Sequence, residues 1–68
     1  MKNNIRELRK NKKISQAELA NLCQVTRQTI NAIENDKYDP TLQLAFDLAR
    51  VLDTRVDNLF EPELKSHS

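Results

Sequence analysis

Residues 15–35, SQAELANLCQVTRQTINAIEN, hold two helix starts with almost no chain between them. Ser15 and Glu18 make a capping box, in which the serine oxygen accepts from the amide of Glu18 and the Glu18 carboxylate accepts from the amide of Ser15. Thr26 is a second good N-cap. The spacing predicts helices over residues 15–23 and 26–35, joined only by Gln24 and Val25. Ala17, Leu19, Ala20 and Leu22 are expected to form the buried side of the first of these.

The same helical period runs through the rest of the chain. Glycine is absent and proline occurs twice, and apolar residues do not alternate as they would in strands. Ile5 and Leu8 predict a helix near residues 2–11, followed by the basic turn Asn11-Lys12-Lys13. NDKYDP, residues 35–40, is a break made of turn formers ending in proline. Beyond it, Leu42, Ala45, Phe46, Ala49 and Leu52 recur at helical spacing and predict a helix over residues 41–52. Asp53-Thr54 then leads into a last turn or two over residues 55–60. The expectation is an all-α fold of five helices in one domain, residues 1–60, with residues 61–68 as a flexible tail.

Composition narrows the function classes. With 68 residues and 38% hydrophobic residues the chain can build one small core, and no apolar run approaches the roughly 18 residues of a membrane span. The stretch MKNNIRELRK lacks the apolar middle of an export signal, so a cytoplasmic setting is expected. A single Cys23 and a single His67 allow neither an internal disulfide nor a zinc site, and Cys23 reads as a small buried hydrophobe. No nucleophile–histidine–carboxylate set or phosphate-cradling glycine loop is present, so no enzyme, metal or cofactor is expected. Net charge is +1, but residues 1–37 carry eight Lys/Arg against four carboxylates and residues 38–68 carry three against six. That asymmetry suggests one polyanion-facing side, although on its own it also fits an ordinary helical domain.

The helix opening at Thr26 is more informative. With Thr26 at zero and about 100° per residue, Ile30 and Ile33 set the core direction near 10°. Arg27, Asn31, Asn35, Gln28 and Ala32 then fill roughly 100° to 240°, the arc facing away. That arc holds no carboxylate, whereas a solvated face ordinarily mixes both charges. Arg, Gln and Asn carry the forked donors and acceptors that match base edges in the major groove. The face taken alone fits either base reading or a plain polar surface. Joined to the short turn before it, it forms a helix-turn-helix, whose first helix crosses the DNA phosphates and whose second enters the groove.

Over residues 4–60, the run SQAELANLCQVTRQTINAIEND followed by DPTLQLAFDLARVLDTRVDNLF resembles the phage repressor and Cro family of bacterial regulators, often called XRE-type. The resemblance implies a lambda-repressor-like fold and a double-stranded DNA-binding transcriptional regulator, expected to act as a repressor on an inverted-repeat operator. Position by position it implies base contacts from Arg27, Gln28 and Asn31. It implies phosphate-backbone contacts from Gln16, Thr26, Asn35, Lys37 and Tyr38. Arg9 and Glu34 match a partly buried structural ion pair in that family. Leu52, Val56, Leu59 and Phe60 fall where members commonly pair as homodimers, unless they merely close the monomer core. The terminal segments of some small relatives also pair as short strands. One departure stands in the turn, where Gln24 replaces a frequent glycine and implies modest strain. An alternative reading is an antitoxin, which binds a protein partner as well as its own operator.

Overall fold

Helix α1, Ile5–Asn11, ends where Lys13 swings into the left-handed region, and the next three helices end the same way. They are α2, Gln16–Leu22, α3, Arg27–Glu34, and α4, Leu42–Val51. Two residues past the last helical position of each, Lys13, Gln24, Asp36 and Asp53 have φ of 60°, 58°, 61° and 57°. In each case the next amide donates back across the helix end: Ile14 to the Arg9 carbonyl at 3.2 Å, Val25 to Ala20 at 3.0 Å, Lys37 to Ala32 at 2.9 Å and Thr54 to Ala49 at 2.9 Å. This is the Schellman closure, which normally uses glycine because a Cβ is disfavoured there. A glycine-free chain makes it four times. The carbonyls that each helix end would otherwise leave unpaired are satisfied, and Ile14 and Val25 pack against the core just beyond two of the closures.

The computed structural model describes residues 1–61. Helix α5, Val56–Leu59, completes five helices among them. Two short strands, β1, Lys2–Asn3, and β2, Phe60–Glu61, pair antiparallel with Lys2 opposite Glu61 and Asn3 opposite Phe60. The helix expected from residue 2 therefore begins only at Ile5. The asparagines explain the delay, because their side chains bond backbone groups that a helix would not offer. Asn3 Oδ1 accepts from the Ile5 amide at 3.2 Å, its Nδ2 donates to the Ile33 carbonyl at 2.8 Å, and Asn4 Nδ2 donates to the Asn58 carbonyl at 3.1 Å. Residues 2–4 and 58–61 are thus stitched together beside the end of α3. Glu61, expected in the tail, belongs to this pairing; the rest of the expected tail, residues 62–68, lies outside the described residues. No helix among the described residues is long and apolar enough to cross a membrane.

The caps read from sequence are in place: Ser15 and Glu18 make the full capping box, and Thr26 accepts from the amide three residues on. Thr41, not read as a cap from the sequence, does the same for α4. Helix α2 packs on α3, and α4 packs against α2 and α5 around Ile5, Leu19, Ile30, Ile33, Leu48, Leu52 and Leu59, all nearly sealed from solvent.

Two expectations about the core need correction. On α2 the inward residues are Leu19, Ala20 and Cys23, while Leu22 is 58% exposed and Ala17 is exposed as well. On α4 the buried stripe is Leu44, Ala45, Leu48, Ala49 and Leu52; Leu42 and Phe46 are 70% and 54% exposed. Both stripes have helical spacing, but Leu42 and Phe46 lie roughly 120–160° around the axis from Leu48. Periodicity alone could not rank them.

The turn at Gln24 makes a direct test. A left-handed residue with a Cβ costs about 1–2 kcal/mol, against about 0.5–1 kcal/mol of extra unfolded-state entropy for glycine. Gln24→Gly is therefore expected to leave stability unchanged or raise it by up to about 1 kcal/mol, and Gln24→Val to lower it by about 1–2 kcal/mol. Urea unfolding of the three proteins measures both. A glycine variant that loses more than about 1 kcal/mol would show that Gln24 holds the turn through its side chain.

Candidate nucleic-acid interface

Only Ile30 and Ile33 anchor α3 by large apolar side chains, so what sets its rotation is polar. Glu34, its last residue, turns its carboxylate inward with the side chain 0% exposed. Arg9 Nε donates to Glu34 Oε2 at 2.8 Å and Arg9 Nη2 to Oε1 at 3.3 Å, a two-point grip. Arg9 Nη1 also donates to the Ile14 carbonyl at 3.0 Å, tying the pair to the turn before α2. The structural pair expected between Arg9 and Glu34 is therefore formed.

Two further donors reach the same carboxylate. Gln16 Nε2 donates to Oε1 at 3.0 Å from the first turn of α2, and Arg6 Nε reaches Oε1 at 3.4 Å from α1. Burial by itself would push this carboxyl up. The hydrogen bonds from Arg9 and Gln16, the Arg9 charge and the hydrogen bond from Arg6 outweigh it, and the group sits below its ordinary value. Arg6 was not singled out in the sequence, although it stands three residues before Arg9 and so shares its face of α1.

With its one carboxylate turned inward, α3 shows solvent a face of amide and guanidinium groups. Arg27, Gln28 and Asn31 are exposed and together line a shallow cleft of about 250 Å³. Thr26 Oγ1 accepts from the Thr29 amide at 3.2 Å and lies 3.0 Å from the Thr29 hydroxyl. Lys37 and Tyr38 are exposed in the loop after α3, with Tyr38 at 49%.

Asn35, expected at the phosphate backbone, is exposed and bonded within the chain. Its Oδ1 accepts from Arg6 Nη2 at 2.9 Å, and its Nδ2 donates to the Asn31 carbonyl at 2.9 Å and to Asn31 Oδ1 at 3.1 Å. It braces Asn31, its neighbour one turn back.

The residues expected at a dimer interface divide. Leu52, Leu59 and Phe60 are 2%, 0% and 7% exposed, so they close the monomer core. Val56 is half-buried. It lines an open apolar groove of about 800 Å³ with Met1, Phe46, Ala49 and Phe60. Phe46, placed in the core by the sequence reading, is the large exposed side chain of that groove. Cys23 is 6% exposed, and burial pushes its thiol up, with Asp47 adding to the effect and Arg50 opposing it. That is the setting of a packing cysteine and not of a reactive one.

The sequence pattern of the helix-turn-helix family matches residues 5–59. An uncharacterised HTH-type transcriptional regulator of Methanocaldococcus jannaschii is 42% identical over 60 residues, covering 88% of this chain and 91% of that protein. Among solved structures, the chain is similar to the restriction-modification controller protein C.AhdI from Aeromonas hydrophila. The TM-score is 0.76 at 34% identity, over 82% of this chain and 85% of that one. It is also similar to the N-terminal DNA binding domain of SinR from Bacillus subtilis, with a TM-score of 0.76 at 29% identity and 90% of each chain covered.

The carboxylate at the centre of the site makes stability depend on pH in a definite direction. A group whose folded pKa is depressed adds stability that is present above its unfolded value, about 4.3 for Glu, and is lost as pH falls through the folded value. Unfolding followed by circular dichroism should therefore show an acid limb below about pH 4 that Glu34→Gln lacks. At pH 7 the same substitution is expected to cost roughly 3–5 kcal/mol, because Arg9 is left buried and uncompensated. Arg6→Gln, at the half-exposed edge of the cluster, should cost no more than about 1 kcal/mol. Equal losses from the two variants would contradict the ranking.

Proposed function

This chain belongs to the XRE-type helix-turn-helix family, a non-enzymatic family of DNA-binding transcriptional regulators, and from that premise we propose that it is a repressor that binds an inverted-repeat operator as a homodimer. The observation that carries the reading is the outer face of α3. Three side chains that match base edges, Arg27, Gln28 and Asn31, share one cleft, while the carboxylate of the same helix is held in the core. The similarity to the DNA binding domain of SinR supports it.

In this reading α3 lies in the major groove and α2 crosses the phosphates. Arg27 pairs with guanine O6 and N7, and Gln28 reads a neighbouring base. Gln16 keeps one amide hydrogen on Glu34 and turns the other to a phosphate oxygen. Thr26 caps the helix through its oxygen and donates its hydroxyl hydrogen to the backbone when Thr29 donates to it. Lys37 and Tyr38 extend the backbone contacts after α3. Phosphate contacts then supply most of the affinity and base edges the discrimination.

One copy spans only a few base pairs, so useful specificity calls for two half-sites about one helical turn apart. The groove holding Phe46 and Val56 is the apolar surface that remains for a second copy once Leu52 and Leu59 have closed the core. A dimer seated across an operator represses by occupancy, since it excludes other proteins from that DNA. Residues 1–61 are proposed as the whole of this DNA-binding unit.

Selection of bound DNA from a random library at about 150 mM salt tests the reading, and an inverted repeat with centres roughly 34 Å apart is expected. Arg27→Ala/Gln28→Ala should lose the sequence preference while keeping weak binding. Lys37→Ala should weaken all sequences alike and lower the salt slope by about 1. Phe46→Glu, at an exposed position, should sediment as a monomer and protect single half-sites only. Identical weak binding by the wild type and the double variant would end the base-reading assignment.

A further inference from the structure

We propose that Asn31 reads DNA as a hydrogen-bond donor, with guanine as its preferred base, because a one-way relay from Arg6 through Asn35 fixes which end of its amide faces out. The inference rests on α3 being the base-reading helix and specifies what one of its side chains can recognise.

The direction of the relay follows from groups that have no choice of role. A guanidinium carries donors and no acceptor, so the Asn35 atom 2.9 Å from Arg6 Nη2 must be its oxygen. A backbone carbonyl only accepts, so the Asn35 atom 2.9 Å from the Asn31 carbonyl must be its nitrogen. Both ends agree, and Asn35 cannot flip without losing both bonds. The Asn31 atom 3.1 Å from that nitrogen must then be Oδ1. Arg6 is itself held, since its Nε reaches the Glu34 carboxylate at 3.4 Å and that carboxylate is gripped by Arg9 and Gln16. The relay therefore starts at Arg6, anchored on a buried anion, and from there each donor points outward to the exposed face.

Asn31 is left with its NH2 group for the cleft it shares with Arg27 and Gln28. Two adjacent N–H donors match the two adjacent acceptors, O6 and N7, on the major-groove edge of guanine. Thymine offers one acceptor and adenine one acceptor beside a donor. Cytosine presents an amino donor that would oppose the Asn31 donors. A free asparagine would instead be able to set its oxygen and nitrogen against adenine N6 and N7, and the relay removes that option by engaging the oxygen.

Asn35→Asp tests the relay because it changes one group and keeps the shape. The carboxylate it introduces still accepts from Arg6 but presents Asn31 with an acceptor in place of a donor. The Asn31 side chain should then turn, placing its NH2 on that carboxylate and its oxygen in the cleft. Arg6→Met removes the donor that starts the relay, at a half-exposed position that leaves the grip of Arg9 and Gln16 on Glu34 in place. The experiment is DNA selection at about 150 mM salt with both variants and with Asn31→Ala, which marks the base pair Asn31 contacts by erasing preference there; circular dichroism confirms that each variant is folded. At that base pair the wild type should favour guanine over cytosine by roughly tenfold or more. Asn35→Asp should reverse the preference toward an amino-bearing base, cytosine or adenine, and Arg6→Met should flatten it. Preferences at the positions read by Arg27 and Gln28 should stay as they are. A wild-type preference for cytosine or adenine there, or an unchanged preference in Asn35→Asp, would overturn the relay while leaving base reading intact. No enriched sequence in the wild type at all would instead overturn base reading itself, and the relay with it.

Discussion

The carboxylate of Glu34 is the point on which the rest of the arrangement depends. It receives donors from α1 through Arg9 and Arg6 and from α2 through Gln16, so three helices meet on one buried anion. A buried charge in an apolar interior is costly unless its lone pairs are filled, and filling them demands specific positions of the donors. That demand does something packing could not do here. Helix α3 has two large apolar anchors, Ile30 and Ile33, and an apolar stripe that narrow defines rotation about the helix axis poorly. With Glu34 held from two sides, α3 has one rotation, and Arg27, Gln28 and Asn31 face outward as a consequence. The same carboxylate that stabilises the interior therefore also keeps its negative charge off the exposed face of α3.

Helix ends are the second constraint. Four left-handed residues without glycine place a conformational cost at each of the four turns that join the five helices. The cost is tolerated because each turn returns two backbone hydrogen bonds to the helix it ends, and because residues just beyond, such as Ile14 and Val25, are drawn into the core. The joint between α2 and α3 is one of these closures, so the angle between the two helices is set by backbone hydrogen bonding and not by glycine. The departure noted at Gln24 is thus part of a pattern that the chain repeats.

Helix α4 shows how the fold divides apolar side chains between the interior and the surface. Its Leu44–Leu48–Leu52 side closes the core, and its Leu42–Phe46 side remains exposed, with Phe46 beside Val56. Strands β1 and β2 complete that edge and hold Met1 near Phe46 in one groove. Met1, Phe46 of α4, Val56 of α5 and Phe60 of β2 share one apolar groove, unlike the polar face of α3.

Local chemistry was legible in the sequence. The capping box at Ser15 and Glu18, the cap at Thr26, the break at residues 35–40 and the five helices all depend on residues within a turn or two of one another, and such interactions survive whatever the rest of the chain does. The outward face of α3 was legible for the same reason, and the Arg9–Glu34 pair came from the family resemblance. Tertiary structure decided the rest. Two equally periodic stripes compete on α4, and only the surfaces laid against it rank them. Residues 2–3 leave the helix to pair with residues 60–61, which no local pattern announces. Gln16, Arg6 and Asn35 acquire their roles because three helices converge on one carboxylate. Short-range periodicity specifies which side chains a helix can offer; which of them is buried, paired or left exposed is settled by the neighbours that arrive from elsewhere in the chain.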